Sequence, residues 1–462
     1  MSNQDNIDAA KKKLAELNTI SPSMCLAKWL QSTTTLYNGM THSCHHPKQH
    51  KIDVSDLKRN YTGLHNTPKK LSARSEMLNG IQTRECDYCW RIENLSGPST
   101  MSDRTYKSSS TWAWPKLQEV LDSGLGDSIN PTYFEVAFEH TCNFKCIYCI
   151  PDVSSRWLEE VKTYGGYKLT EMTIYDPNYL QQTNTTPIHY KDYNPYIEAF
   201  WKWWPDLYQS LDTFRITGGE PLLSEHTWRV FDYIIAHPRK DLTLAINTNM
   251  GAPKHLIDKL IQYCVRLAPL VKSVQVYTSA EATGKQCEYI RYGMDWNEFE
   301  TNCCTFLSSV PETIGLHFMV TANLLCSSTF EKFLEWIIML RSKFNTSIAY
   351  NRVPIMIAYL RWPVHLAMYN LPSHLKEKYA KDWLAVVQKY LIVGNVARFY
   401  LEELDQINRL ISFMNSISST DIQAMDLYAF QSEADKRRGT NLLETFPELT
   451  DYYNFGKKLS TI

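Results

Sequence analysis

The sequence predicts an α/β fold in which parallel strands alternate with helices. Two observations predict it. From Tyr133 to about Tyr359, candidate strands and candidate helices follow one another in a steady βα rhythm. The first of these strands, YFEVAFEH (133–140), runs straight into a loop that carries chemistry, as strands of a (β/α) barrel do at their C-terminal ends.

The remaining strands are DTFRIT (212–217), LTLAINTN (242–249), VKSVQVYTS (271–279), IGLHFMVTAN (314–323) and an extended stretch within 348–359. Helical patterns lie between them, over 152–164, 197–211, 226–236, 254–267, 296–307 and 329–341. Two amphipathic helices follow, over 375–387 and 397–417, and the polar C-terminal segment is expected to end in a helix packed back on the chain. Before the βα region, 5–17 reads as a short polar helix and 112–121 as another. The segment from Ser21 has few helical periodicities and many turn formers, and 97–110 reads as a linker.

The loop after the first strand is TCNFKCIYCI (141–150), with Cys142, Cys146 and Cys149 in a Cys-x3-Cys-x2-Cys run. Thiolates so close in sequence pair poorly as disulfides but can grip one compact metal centre. Structural zinc takes four ligands, usually as two separated pairs. A [4Fe–4S] cube held by three local cysteines keeps one iron free for an outside ligand. The loop-rich N-terminal segment holds two further pairs, Cys25 with Cys44 and Cys86 with Cys89, enough for a closed four-ligand site. Spacing alone leaves zinc and iron–sulfur open there. His42, His45 and His46 flank Cys44 and are alternative ligands, although solvated loop histidines are commoner. Cys264, Cys287, Cys303, Cys304 and Cys326 are scattered and read as packing residues.

The three-cysteine run, with Tyr148 before its last cysteine, resembles that of the radical S-adenosylmethionine (SAM) enzymes. GGEP at Gly218, Gly219, Glu220 and Pro221, about 70 residues later at a strand end, resembles that family's second hallmark. The resemblance implies a partial (β/α)6 barrel, a [4Fe–4S] cluster on Cys142, Cys146 and Cys149, and SAM chelated to its free iron. It implies that the GGEP turn hydrogen-bonds the SAM amino group. It also implies that Ser279 and Arg291, in YTSAEATGKQCEYIRYG, hold the SAM carboxylate and ribose. By the same resemblance, Asn247 and Asn249 end a strand where polar side chains near the ligand recur in the family, and Val320 and Asn323 sit where a later strand lines the adenine slot in relatives. The pattern Cys25-x13-Gly39-x4-Cys44, then Cys86-x2-Cys89, is similar to the auxiliary-cluster module of the SPASM and twitch subfamilies. The further cysteines of SPASM are missing, which points to a twitch-like domain with one auxiliary [4Fe–4S] cluster, here preceding the barrel.

These readings divide the chain into a small loop-rich N-terminal iron–sulfur (twitch-like) domain, 1–110, a radical SAM barrel, 111–370, and a C-terminal helical extension, 371–462. The implied activity is reductive SAM cleavage to a 5′-deoxyadenosyl radical. Hydrogen abstraction from a peptide or small molecule follows, with net oxidation and an electron donor such as flavodoxin or ferredoxin. No general acid or base is marked by the motifs. The long segment 165–193, between a helix and the next strand, is expected to be a lid.

Composition agrees. The 462 residues are 44% hydrophobic and 21% charged, the balance of a globular chain with a large core. A net charge of −1 counts against nucleic acid as a partner. No apolar run reaches membrane-spanning length. The N-terminus lacks the apolar core of a signal peptide, and twelve clustered cysteines fit a reducing cytoplasm. Two other readings exist: a zinc-stapled module that binds nucleic acid or protein through its aromatic side chains, and a SAM-binding relative without turnover.

Overall fold

The computed structural model describes residues 3–95, 101–123, 128–170 and 174–461. Its strands, in chain order, are β1 (Gln31–Thr35), β2 (Met40–His42), β3 (His50–Lys51), β4 (Tyr133–Ala137), β5 (Lys145–Cys146), β6 (Thr213–Thr217), β7 (Arg239–Asn247), β8 (Val271–Thr278), β9 (Arg291–Tyr292), β10 (Leu316–Ala322) and β11 (Ile355–Tyr359). Two compact units form. One comprises Met1–Glu139, Asn184–Gly218 and Lys240–Ala245; the other comprises His140–Thr183, Gly219–Arg239 and Ile246–Ile462.

In the first unit the strand order is β3-β2-β1-β4-β6-β7. β4 pairs in parallel with β6, Tyr133 opposite Thr213, as the βα rhythm requires. It also pairs in parallel with β1, Gln31 opposite Tyr133. That neighbour comes from the segment read as loop-rich. β1 is QSTTT, with no apolar residue, yet its first four residues are buried. Some of its hydroxyls are engaged internally: Lys70 Nζ donates to Ser32 Oγ and to Thr41 Oγ1 of β2, each at 2.9 Å, and Thr34 Oγ1 lies 3.2 Å from Thr41 Oγ1. Hydrophobic periodicity cannot reveal a strand buried in this way.

The same segment also carries the helices Pro68–Leu78 and Asp87–Glu93. Part of the expected linker is a helix as well, Asp103–Ser109, capped by Ser102; its residues 97–100 lie outside the described residues. Phe134 of β4, Phe214 of β6 and Phe200, Trp203 and Trp204 of the helix Pro195–Ser210 pack as one aromatic core.

In the second unit β10 pairs in parallel with β8 on one side and β11 on the other. The helix Lys254–Leu267 has the bounds that periodicity predicts. It buries Ile257, Leu260, Cys264 and Leu267, a stripe at helical spacing. Where one C-terminal helix was expected, there are two main ones, Asp421–Arg438 and Thr450–Leu459. The first mixes polar and apolar residues on its buried side, so its signals are its ends. Thr420 and Gln423 form a capping box, and Gly439 closes it at φ +66°.

The described part of 165–183 is anchored rather than free to close as a lid. Tyr167 and Tyr175 are buried against Phe430. Thr170 N donates to Asp426, and Arg437 donates to the carbonyls of Gly165 and Gly166. Residues 171–173 lie outside the described residues. Among the described residues no helix is long and apolar enough to cross a membrane.

Candidate metal centres

The loop that carries Cys142, Cys146 and Cys149 is held by its backbone. β5 pairs with β9 so that Cys146 faces Arg291. The Cys146 carbonyl accepts from Cys149 N at 2.9 Å and from Trp157 Nε1 at 2.8 Å. Tyr175 Oη donates to the Cys149 carbonyl at 3.3 Å. All three thiols are partly buried. Burial and then the Cys146 charge push Cys142 up to about 12. Cys149 is raised by burial, then by Cys146 and Cys142. Cys146 is raised by burial too, against the Arg291 charge, so without metal the three thiols stay protonated near neutral pH. A bound metal ionises such thiols outright.

The GGEP turn packs on this loop. Glu220 N donates to Thr141 O at 2.7 Å. A Cβ on Gly219 would stand 2.3 Å from that same carbonyl, and Gly218 sits at φ +142°, so the turn needs glycine at both positions. The Glu220 carboxylate is 2% exposed and accepts from Asn249 N at 2.6 Å and Leu222 N at 3.0 Å. Burial pushes its pKa up to about 7. Because the folded value is raised, Glu220 favours the fold most below about pH 4, and this contribution is lost as pH rises through 7. Glu220→Ala leaves one buried and one half-buried N–H, of Leu222 and Asn249, without that acceptor. A loss of about 1–3 kcal/mol is expected, read as a lower Tm; an unchanged Tm would contradict this bonding.

Asn249 is placed beside the cysteine loop, with its side chain committed there. Its Nδ2 donates to Asn143 Oδ1 at 2.7 Å, and its Oδ1 accepts from Gly251 N at 2.9 Å. Arg291 is 4% exposed. Its guanidinium lies 2.8 Å from Glu281, and one nitrogen lies 3.8 Å from Cys146 Sγ. Only its buried Nε lacks a partner. Tyr148 Oη donates to the same Glu281 at 3.2 Å. Glu281 is fully buried, and sequence reasoning missed it. Its only signal was an acidic residue just past a strand, which says nothing until its partners are known.

Ser279 lies directly after β8 and is partly buried. Asn323 is fully buried and caps the turn Leu324–Cys326. It accepts from Leu325 N at 3.0 Å and donates to Thr321 O at 2.9 Å, so its amide serves its own chain. Cys264, Cys287, Cys303 and Cys326 are buried, and Cys304 is partly so.

In the other unit, Cys25, Cys44, Cys86 and Cys89 line a single cavity, together with Lys28, Ser43, His46, Trp90, Arg104 and Lys107. Gly39 makes the hairpin before Cys44 possible: at φ +63°, a Cβ there would strike the Tyr196 ring at 2.0 Å. Burial, then Cys86 and Cys44, push Cys25 up to about 11; burial, then Cys25, push Cys89 up to about 12. Of the three flanking histidines only His46 lines the cavity. Its Nε2 is engaged by Asp103 at 2.8 Å. The His42 Nδ1 is engaged by the Cys44 carbonyl. Among the described residues no three His, Cys, Asp or Glu side chains stand close enough together to hold a lone metal ion. With 2.3 Å bonds, a zinc ion would draw its thiolates to within about 4 Å of one another.

A mixed α/β fold with parallel strands and a glycine turn packed on a three-cysteine loop supports the radical SAM class. No protein-family model matches the chain. Over 134 residues, the chain is 28% identical to a GTP 3′,8-cyclase of Aliarcobacter butzleri (strain RM4018), a radical SAM enzyme. The match covers 28% of this chain and 30% of the relative, so the chain spans under a third of that relative's length. This distant likeness supports an enzyme of radical SAM chemistry, and with it a [4Fe–4S] cluster and SAM.

Proposed function

We propose that this protein cleaves SAM reductively and takes hydrogen from a peptide or small-molecule substrate, with net oxidation assisted by a second [4Fe–4S] cluster. The observation that carries the reading is the GGEP turn seated on the Cys142–Cys149 loop through Glu220 N and Thr141 O. Two motifs about 70 residues apart in sequence meet there.

In this reading Cys142, Cys146 and Cys149 hold the first cluster and leave one iron for SAM. When bound, the reduced cluster supplies an electron to the SAM sulfonium, giving methionine and a 5′-deoxyadenosyl radical. Gly218 and Gly219 present backbone to the SAM amino group. Ser279 and the free Nε of Arg291 are the donors for its carboxylate and ribose. Asn249 and Asn323 brace the chain around the ligand with one N–H of each amide and keep the second N–H for the ligand. Glu281 holds Arg291 and Tyr148 in place beside Cys146. Cys25, Cys44, Cys86 and Cys89 hold the second cluster.

The fold that accompanies the reading is a partial (β/α)6 core over 111–370, a twitch-like cluster domain over 1–110 and a helical extension over 371–462. The electron donor is a low-potential protein of the flavodoxin or ferredoxin type, and the compartment is the cytoplasm.

Anaerobic purification tests the reading. Brown protein with roughly eight irons per chain, absorbance near about 400 nm and 5′-deoxyadenosine on reduction with SAM are expected. Zinc in place of iron, or bound SAM without 5′-deoxyadenosine, would overturn it.

A further inference from the structure

We propose that Lys107 and Ser43 stabilise the reduced state of a cluster held by Cys25, Cys44, Cys86 and Cys89, making that cluster an electron acceptor rather than a staple. This rests on the two-cluster reading above.

Three cations line the four-cysteine cavity, and they differ in how far they are neutralised. Lys28 is paired with Glu85. Arg104 donates to both carboxylate oxygens of Glu93, at 2.9 and 2.8 Å, and to the Met24 carbonyl. Among the described residues Lys107 has one ion pair, with Asp103 at 3.6 Å, and that carboxylate is shared with His46 at 2.8 Å; buried Glu135 acts on it at longer range. Among the described residues its buried Nζ has no hydrogen-bond partner. Ser43 is 2% exposed, and its Oγ is likewise buried without a partner. Both residues line the cavity.

A buried ammonium and a buried hydroxyl without acceptors are costly in any protein. Neutral thiols are weak acceptors and do little to offset that cost. A centre of thiolates and sulfides offers anionic acceptors to both groups. Ser108 Oγ, 3.9 Å from Cys25 Sγ, is a further hydroxyl directed at a thiol.

The redox consequence follows from charge. Reduction adds one electron and no proton, so the site gains one negative charge. A poorly compensated cation in a low-dielectric cavity favours that more anionic state, and donors to sulfur act in the same sense. The electron comes from the substrate radical, which loses it together with a proton as the product is oxidised.

The test is an EPR-monitored potentiometric titration of the full chain carrying Cys142→Ala, Cys146→Ala and Cys149→Ala, which leaves one cluster. Against that background, Lys107→Met is expected to disfavour reduction about tenfold, a fall of about 59 mV for one electron, with iron content unchanged. Ser43→Ala should shift the midpoint in the same direction by less. Lys107→Arg should stay near the parent. A Lys107→Met midpoint equal to the parent's, with roughly four irons bound, would overturn the proposal. Should Lys107→Met lose its iron, the Ser43→Ala midpoint decides, and no shift there overturns it. A parent that binds no iron at all would instead overturn the two-cluster reading.

Discussion

Cys146→Ala is expected to abolish reductive cleavage of SAM, and Cys142→Ala and Cys149→Ala to do the same. On the proposed reading each change would leave a cube with two protein thiolates where three are needed to hold it and to leave one iron for SAM. The expected loss of 5′-deoxyadenosine is at least about 10³-fold, about 4 kcal/mol in the barrier. The fold should survive, because the loop is held by backbone: the β5–β9 pairing, Trp157 Nε1 on the Cys146 carbonyl and Tyr175 Oη on the Cys149 carbonyl do not use the thiols. Circular dichroism and Tm therefore serve as controls. Iron should fall from roughly eight to roughly four per chain. Any one of these variants that makes 5′-deoxyadenosine at the unaltered rate would remove the assignment.

The second large effect is expected from the double variant Cys86→Ala, Cys89→Ala. Both thiols are buried and line the same cavity as Cys25 and Cys44. With them gone, iron should fall by roughly four per chain while the first centre remains. SAM should still be cleaved, but oxidised product per 5′-deoxyadenosine should drop at least about tenfold, because on the proposed reading the substrate radical would lose its electron acceptor. The variant must be shown to stay folded, since Cys86 packs in a core with Trp29, Met77 and Trp90. An unchanged product ratio with only a lower Tm would assign the four cysteines a structural role.

How much of this was legible beforehand can be judged residue by residue. The strands β4, β6, β7, β8, β10 and β11 all fall on stretches with clear apolar patterning. The helix Lys254–Leu267 was readable to the residue. The three-cysteine run and GGEP stood out because residue type and spacing are local properties of a loop. β1 was not readable. A strand of one glutamine, one serine and three threonines looks like loop until Lys70 and Thr41 are placed around it. Asn249 and Asn323 were picked out for ligand contact, and each amide also braces nearby chain, a role that hydrogen-bond partners reveal and residue type does not.

The sequence by itself determined the alternation of strands and helices, the two groups of cysteines and the glycine turn, because period and spacing are written along the chain. Only the tertiary structure decided which distant groups share a site. It seated Glu220 N on Thr141 O, buried Glu281 between Arg291 and Tyr148, and brought four cysteines from two separated segments around one cavity with Lys107 and Ser43. Desolvation and pairing depend on what surrounds a side chain, and that is set by folding rather than by position in the chain.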